Sequence, residues 1–396
     1  MSAYKHNRCA AIVLLAALAA GCGGGSHEAP HGTPHGAPPP QPESTPHGHA
    51  GAPMIKSSPQ RPFTLVASGE IIPSVPEVLG TAQRDARGVG YDFRPILAGV
   101  KPVVSSADLA VCHLGAPLGL LSGPFTGYPV FQSPPQLASA LKATGYDSCS
   151  TASNHVLDRG MPGVHRTLRA METVGLRHVG SARSATEAAR SARVLARTGA
   201  KVAHLSYTYG TNGAQRPVSA PWTVNLLDEE KIIADARAAR RAGADIVIVS
   251  AHWGTEYRTV PNQQQIRLAQ ALTAARTGDR PDIDLVLGTH AHTPQPYEKV
   301  NGTWVVYGLG DQVSGRMKRP QGNWGTLARF RFKPPDRPGE RWKVTKAEYI
   351  PQLAVQGPPL RMVNLARTPG YASIRKAISR AVLSRGAADE GLKMGR

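Results

Sequence analysis

Thiols and acidic side chains are both in short supply in this chain. Only four cysteines, Cys9, Cys22, Cys112 and Cys149, occur in 396 residues. No pair of them has zinc-finger spacing, so no thiolate cluster competes for a metal. An aromatic–basic RNA-binding motif is missing too, and with no fingers present this argues against nucleic acid as a partner. The 27 acidic residues face 46 lysines and arginines, leaving a formal charge of +19 at pH 7. Such a surface attracts anions: lipid headgroups, wall polymers or an acidic substrate. A compositional bias toward Arg and Ala accounts for the same number without any ligand. Hydrophobic residues at 41% suit a globular core, while 41 Gly and 34 Pro imply long loops and a linker.

The apolar run "AAIVLLAALAA" follows Lys5 and Arg8 and is too short to span a bilayer as a permanent anchor. It ends in "LAAGC" and then "GGGS", which resembles a bacterial lipobox. Ala19 stands where a branched apolar residue is usual, and Leu18 lies one earlier. The expectation is a lipoprotein signal over residues 1–22, with Cys22 diacylated as the mature N-terminus. The protein would then be exported and held by lipid at the outer face of the cytoplasmic membrane. Residues 23–61 are rich in Pro, Gly and His without apolar periodicity, and read as a disordered tether. Its His27, His31, His35, His47 and His49 either scavenge a transition metal or are incidental to a solvated spacer. In an exported protein Cys112 and Cys149 form a disulfide or remain two buried thiols.

From residue 62 onward strands and helices alternate, which predicts one α/β domain over 62–396 with a partly parallel sheet. "SPPQLASALKATG" and "MPGVHRTLRAMETVG" read as helices, and "ARVLART" with "KVAHLSYT" as a hairpin. "LDEEKIIADARAARRAGADIVIVSAHWG" is the clearest unit. Acidic residues open its helix, arginines close it, and a buried strand follows. "TLARFRF" and "WKVTKAEYI" predict a second hairpin, and residues 371–385 a short amphipathic helix.

Ligands in open α/β sheets gather beyond the carboxyl ends of the strands. Those ends carry Glu70, His113, Asn154, His155, His252, Glu256, His290, His292 and Asp311. A lone histidine at a strand end is ordinarily a hydrogen-bonded structural residue. Five imidazoles with an amide and carboxylates on successive ends point instead to a metal centre of the Zn, Mn, Fe or Ni type. In "DLVLGTHAHTPQP", His290 and His292 stand two apart, so in extended chain both rings would point the same way. Trp222, Trp253 and Trp304 read as packing residues, with Trp253 beside His252 a candidate wall of the site, and "TYGTNGAQRP" as a loop over the strand ends that is either a structural turn or a place from which Asn212 or Arg216 contacts substrate.

The stretches "ASGEIIPS", "ADLAVCHLGAPL", "TASNHVLDRG", "SAHWGTEY", "LVLGTHAHTPQPYE" and "VVYGLGDQV" occur in an order that resembles the CapA family of poly-γ-glutamate capsule biosynthesis proteins. The resemblance implies a calcineurin-like metallophosphoesterase fold, a four-layer α/β/β/α sandwich with one or two divalent ions (Mn, Zn, Fe or Mg) at the strand ends. Carried over by motif, Glu70, His113, Asn154, His252, His290 and His292 become metal ligands. His155 becomes the catalytic acid, and Glu256 and Asp311 partners around the centre or the substrate. An anionic polymer, poly-γ-glutamate or a wall polymer, becomes the implied substrate. Hydrolysis and non-catalytic binding or export of that polymer both follow from such a family. The pattern differs in places. The usual Gly-Asp is Gly69-Glu70, the usual Asn-Leu-Glu is His113-Leu114-Gly115, and the usual Leu-Gly-Asn is Leu309-Gly310-Asp311.

Overall fold

The computed structural model describes residues 61–396 apart from Ser191, Ala192, Ala196, Arg197, Pro338 and Gly339. The expected signal segment, Cys22 and the expected tether lie outside the described residues, apart from Arg61 at the end of the tether range.

The chain enters through β1 (Phe63–Ile72) and then forms three short helices, α1 (Glu77–Asp85), α2 (Arg94–Leu97) and α3 (Lys101–Ser105). The sequence reading did not separate these helices, because prolines break the segment into pieces too short for a clear period. Next come β2 (Leu109–Leu114), α4 (Gln136–Thr144), β3 (Ser148–Ser150), α5 (Gly160–Thr173), β4 (Arg177–Val179) and α6 (Ala185–Arg190). The hairpin β5 (Arg193–Leu195) and β6 (Lys201–Thr208) follows and pairs antiparallel, as its alternation predicts. Then α7 (Glu229–Arg241) leads to β7 (Ile246–His252). Asp228 caps α7 by accepting from the Lys231 N–H at 2.8 Å, and Arg240 and Arg241 close it against the helix dipole. Asn262 and Gln265 form a capping box for α8 (Gln263–Ala274).

Beyond the small β8 (Arg276–Thr277) and β9 (Arg280–Pro281) pair come β10 (Leu285–Thr289), β11 (Tyr297–Val300), β12 (Thr303–Val306) and β13 (Asp311–Ser314). The long antiparallel hairpin β14 (Trp324–Lys333) and β15 (Lys343–Val355) precedes β16 (Arg361–Asn364), α9 (Ala372–Val382) and β17 (Leu392–Met394). Among the described residues no helix is long and apolar enough to cross a membrane.

Two sheets result. The first runs β16-β15-β14-β1-β2-β3-β4, with β13 also on β1 and β17 on β15; the second runs β11-β12-β10-β7-β6-β5. Alternation along each strand shows how they are layered. Leu65, Ala67, Leu109 and Val111 share one buried cluster with Val202, Ile246, Ile248, Leu285, Leu287 and Val306 of the other sheet. Their neighbours Val66, Ala110 and Cys112 turn the other way, onto Ile96, Leu137 and Leu141 of the helices. Ala203, Val247, Val249 and Val286 likewise turn outward onto Ile232 and Ala236 of α7 and Leu268 and Leu272 of α8. Strand period two therefore builds a four-layer α/β/β/α sandwich with both sheets buried on both faces.

Candidate metal centre

Parallel pairing sets the site. Glu70, near the end of β1, lies in register with His113 of β2 on one side and Asp311 of β13 on the other. His113 is in register with Ser150 of β3, and His252 of β7 with Thr289 of β10. Gly69 has a particular role here, because a Cβ on it would collide with the Gly310 carbonyl. Its bareness lets the chain at Gly310 close on β1, and the Glu70 N–H donates to the Gly310 carbonyl at 3.0 Å.

The side chains at these ends converge. His113 and His252 stack with ring centroids 4.7 Å apart, and His290 lies 4.8 Å from His252. The Asn154 Oδ1 sits 2.9 Å from the His252 Nε2. That spacing suits two ligands of one cation, since metal–ligand bonds of about 2.0–2.2 Å leave neighbouring donors about 3 Å apart. On the other side the His292 Nδ1 lies 2.9 Å from the Asp311 Oδ1 and 3.6 Å from the Glu70 Oε2. Ligand atoms fall within 4.8 Å of one another in three groups here: Glu70–His113–His252, Glu70–His292–Asp311 and Glu256–His290–His292.

His290 and His292 do converge, though not through extended chain. β10 stops at Thr289, and the two histidines take left-handed φ values of 87° and 53°. Non-glycine residues adopt that region rarely, and such backbone concentrates at functional sites. The turn sends His290 toward His252 and Tyr209, and His292 toward Glu70 and Asp311.

Hydrogen bonds fix which nitrogens are bare. The Ser150 hydroxyl donates to the Cys112 carbonyl at 3.3 Å, so it accepts from the His113 Nδ1 at 2.8 Å. His113 Nε2 is left with a free lone pair and no partner. Counting it, five buried atoms in this one place meet no hydrogen-bond partner: Glu70 Oε1 and Oε2, His113 Nε2, His290 Nδ1 and Asp311 Oδ2. Buried polar groups are normally satisfied, and a cluster of bare donor atoms of this chemistry fits divalent cations.

Electrostatics agree with that need. Burial raises the Glu70 carboxyl to about 7, only partly offset by His292. Burial, helped by neighbouring imidazoles, lowers His113 and His290 to about 3 and His252 well below its ordinary value. These three rings are therefore neutral and able to ligate. His292 is the exception: burial opposes its charge, but Asp311 and Glu70 together outweigh it and lift the ring to about 10, so a metal ion would have to displace its proton to bind there.

His155 sits on the rim, with Phe131 edge-on at 4.7 Å. Its Nδ1 is 2.8 Å from the Asp158 Oδ2, which also accepts from the Phe131 N–H at 2.7 Å. Asn212 donates no strong bond to the ring but lies 3.5 Å from both its nitrogens, and it accepts from the Asn154 Nδ2 at 3.1 Å. Of the two loop residues, Asn212 lies beside Asn154 and His155, whereas Arg216 binds the Pro221 and Val224 carbonyls of its own loop. Glu256 is exposed and reaches the site only beside His290 and His292. Trp253 is packing, buried with its Nε1 donating to the Tyr307 carbonyl. Cys112 and Cys149, in register on β2 and β3, are joined as a disulfide with Cα atoms 4.4 Å apart. Sequence reasoning missed Asp158, Ser150, Thr289 and Tyr209. Only Asp158 left a signal, a carboxylate three residues after His155 in a turn.

A family described as "Bacterial capsule synthesis protein PGA_cap" matches residues 64–316, well over half of the chain. The PGA biosynthesis protein CapA of Bacillus subtilis is 31% identical over 183 residues, covering 46% of each chain. A probable polyglutamine synthesis accessory protein of Mycobacterium tuberculosis is 31% identical over 190 residues, 45% of this chain and 48% of that one. The match thus spans about half the length of these curated relatives. Among solved structures, the calcineurin-like phosphoesterase YfkN of Bacillus subtilis aligns over 82% of this chain and 97% of that one, at 14% identity and a TM-score of 0.42. The matched residues contain Glu70, His113, Asn154, His155, His252, His290, His292 and Asp311, and by that match the chain belongs to the bacterial capsule synthesis PGA_cap family.

Proposed function

We propose that the protein is a metal-dependent hydrolase acting on an anionic envelope polymer, poly-γ-glutamate or a wall polymer, in capsule or cell-wall metabolism. The observation that carries the reading is the set of five bare, buried donor atoms on neighbouring strand ends. Glu70, His113, Asn154, His252, His290, His292 and Asp311 would hold one or two divalent ions, with Glu256 at the margin. Such ions supply Lewis acidity toward a phosphate or carbonyl oxygen. The chain supplies the rest. Asp158 accepts from the His155 Nδ1 and fixes the ring, leaving Nε2 to pass a proton to a leaving group. Asn212 holds the Asn154 amide so that its oxygen turns to His252. The relatives' names speak of PGA biosynthesis and polyglutamine synthesis, which favours a glutamate-derived polymer, and the net charge of +19 suits an anionic one. The lipobox-like "LAAGC" supports an exported chain anchored through lipid on Cys22.

Purified protein loaded with Mn is expected to cleave poly-γ-glutamate or an activated phosphodiester, and to stop on chelation. Activity that persists in the His252→Ala/His290→Ala double variant overturns the reading. A second reading, a non-catalytic accessory that binds the polymer, draws on Gly115 standing where the family pattern has a carboxylate. It predicts polymer binding that survives chelation, without turnover.

A further inference from the structure

We propose that Glu70 is a bridging ligand shared by two cation positions, and that Gly115 lacks a side chain in order to make room for it. This rests on the metal-centre reading above and concerns how this chain builds that centre.

Glu70 is common to two of the ligand groups, Glu70–His113–His252 on one side and Glu70–His292–Asp311 on the other. It stands between them because β1 is the strand that pairs with both β2 and β13. Its side chain is 1% exposed, and neither carboxylate oxygen accepts a hydrogen bond. An ionised carboxylate in that state is strongly unfavourable unless cations face it. Two free oxygens with imidazoles on either side suit one cation apiece.

Gly115 explains how so long a side chain fits. A Cβ at position 115 would collide with the Glu70 Oε1 and lie 3.0 Å from its Cγ and 3.2 Å from its Cδ. Gly115 has no positive φ, so the backbone itself does not call for glycine there. Space does. The two departures from the family pattern, Glu for Asp at position 70 and Gly for Glu at position 115, thus become one exchange. The carboxylate that the pattern supplies from the loop after β2 is delivered here by one extra methylene on β1.

The test uses the full chain, stripped with EDTA and reloaded with Mn(II), read by bound-metal analysis and by electron paramagnetic resonance. The wild type is expected to show the spin-coupled signal of a Mn pair, and His290→Ala, which keeps every histidine of residues 23–61, gives the background from ions bound there. Gly115→Ala, which removes no ligand, is expected to lose that signal and to weaken the second ion by at least about tenfold. Glu70→Asp should do the same, and Glu70→Asp/Gly115→Glu should regain the coupled pair. Circular dichroism checks that each variant folds. Where Gly115→Ala does not fold, Glu70→Gln keeps the shape and must also lose the coupling. A coupled pair that persists in folded Gly115→Ala or in Glu70→Gln overturns the proposal. A wild type with a single ion overturns it too while leaving the metal centre standing. A wild type that binds none at the site overturns both.

Discussion

His155 and Asp158 form the pair on which proton transfer turns. With Asp158 accepting from Nδ1 at 2.8 Å, the ring keeps one tautomer and one orientation. His155→Ala is expected to lower turnover by about 10²–10⁴-fold, the usual range for a positioned acid. Asp158→Asn should lower kcat less and shift its pH profile, with bound metal unchanged in both variants. Loss of metal from either would place them in the ligand set instead. Acid stability is a second expectation at this scale. His113, His252 and His290 are held below their ordinary values, so the folded, metal-free chain binds fewer protons than the unfolded one below about pH 6.5. Stability must then fall as pH drops from about 6.5 toward 3. Buried His204, lowered to about 4, adds to the fall, while Glu70, raised to about 7, and His292, lifted to about 10, run the opposite way, two groups against four. The urea midpoint of EDTA-treated protein should therefore decline on acidification from pH 6.5 to 4.5. A midpoint that rises over that range contradicts the burial of neutral imidazoles.

At the scale of elements, strand ends do the assembling. β1, β2 and β13 bring Glu70, His113 and Asp311 together, and β7 beside β10 brings His252 to His290. The disulfide ties β2 to β3 just before His113. Its 37-residue separation corresponds to about 3–4 kcal/mol of chain-entropy stabilisation. Cys112→Ser/Cys149→Ser should lose stability on that scale in denaturant titrations and weaken metal binding, since His113 loses a fixed neighbour. An unchanged midpoint would show that the bond is not formed in solution. Much of this was legible beforehand. The helix over 229–241 could be read from Asp228 and its arginines, and the ligand histidines from the strands that precede them. The pairings were not legible, because strand order depends on contacts between residues far apart in sequence. Neither were the left-handed turns at His290 and His292, which the strand pattern up to Thr289 would extend unbroken. The mutual fit of Glu70 and Gly115 was invisible for a related reason: 45 positions separate a missing side chain from the one that fills its place.

For the whole molecule, the question is where the centre works and on what. If Cys22 carries lipid, Cys22→Ser should move the protein from the membrane fraction to the soluble fraction of producing cells, and an unchanged distribution would remove the anchor. A net charge of +19 predicts that binding to poly-γ-glutamate weakens steeply as salt rises. The central claim, however, is that the strand ends of the sandwich hold metal. Its most direct test is the divalent-metal content of the full chain beside that of His290→Ala, in which the tether histidines are identical and cancel in the difference. The account predicts that the wild type holds more metal, two ions at the site, and that His290→Ala loses at least one of them. Equal metal content in the two folded proteins would contradict it.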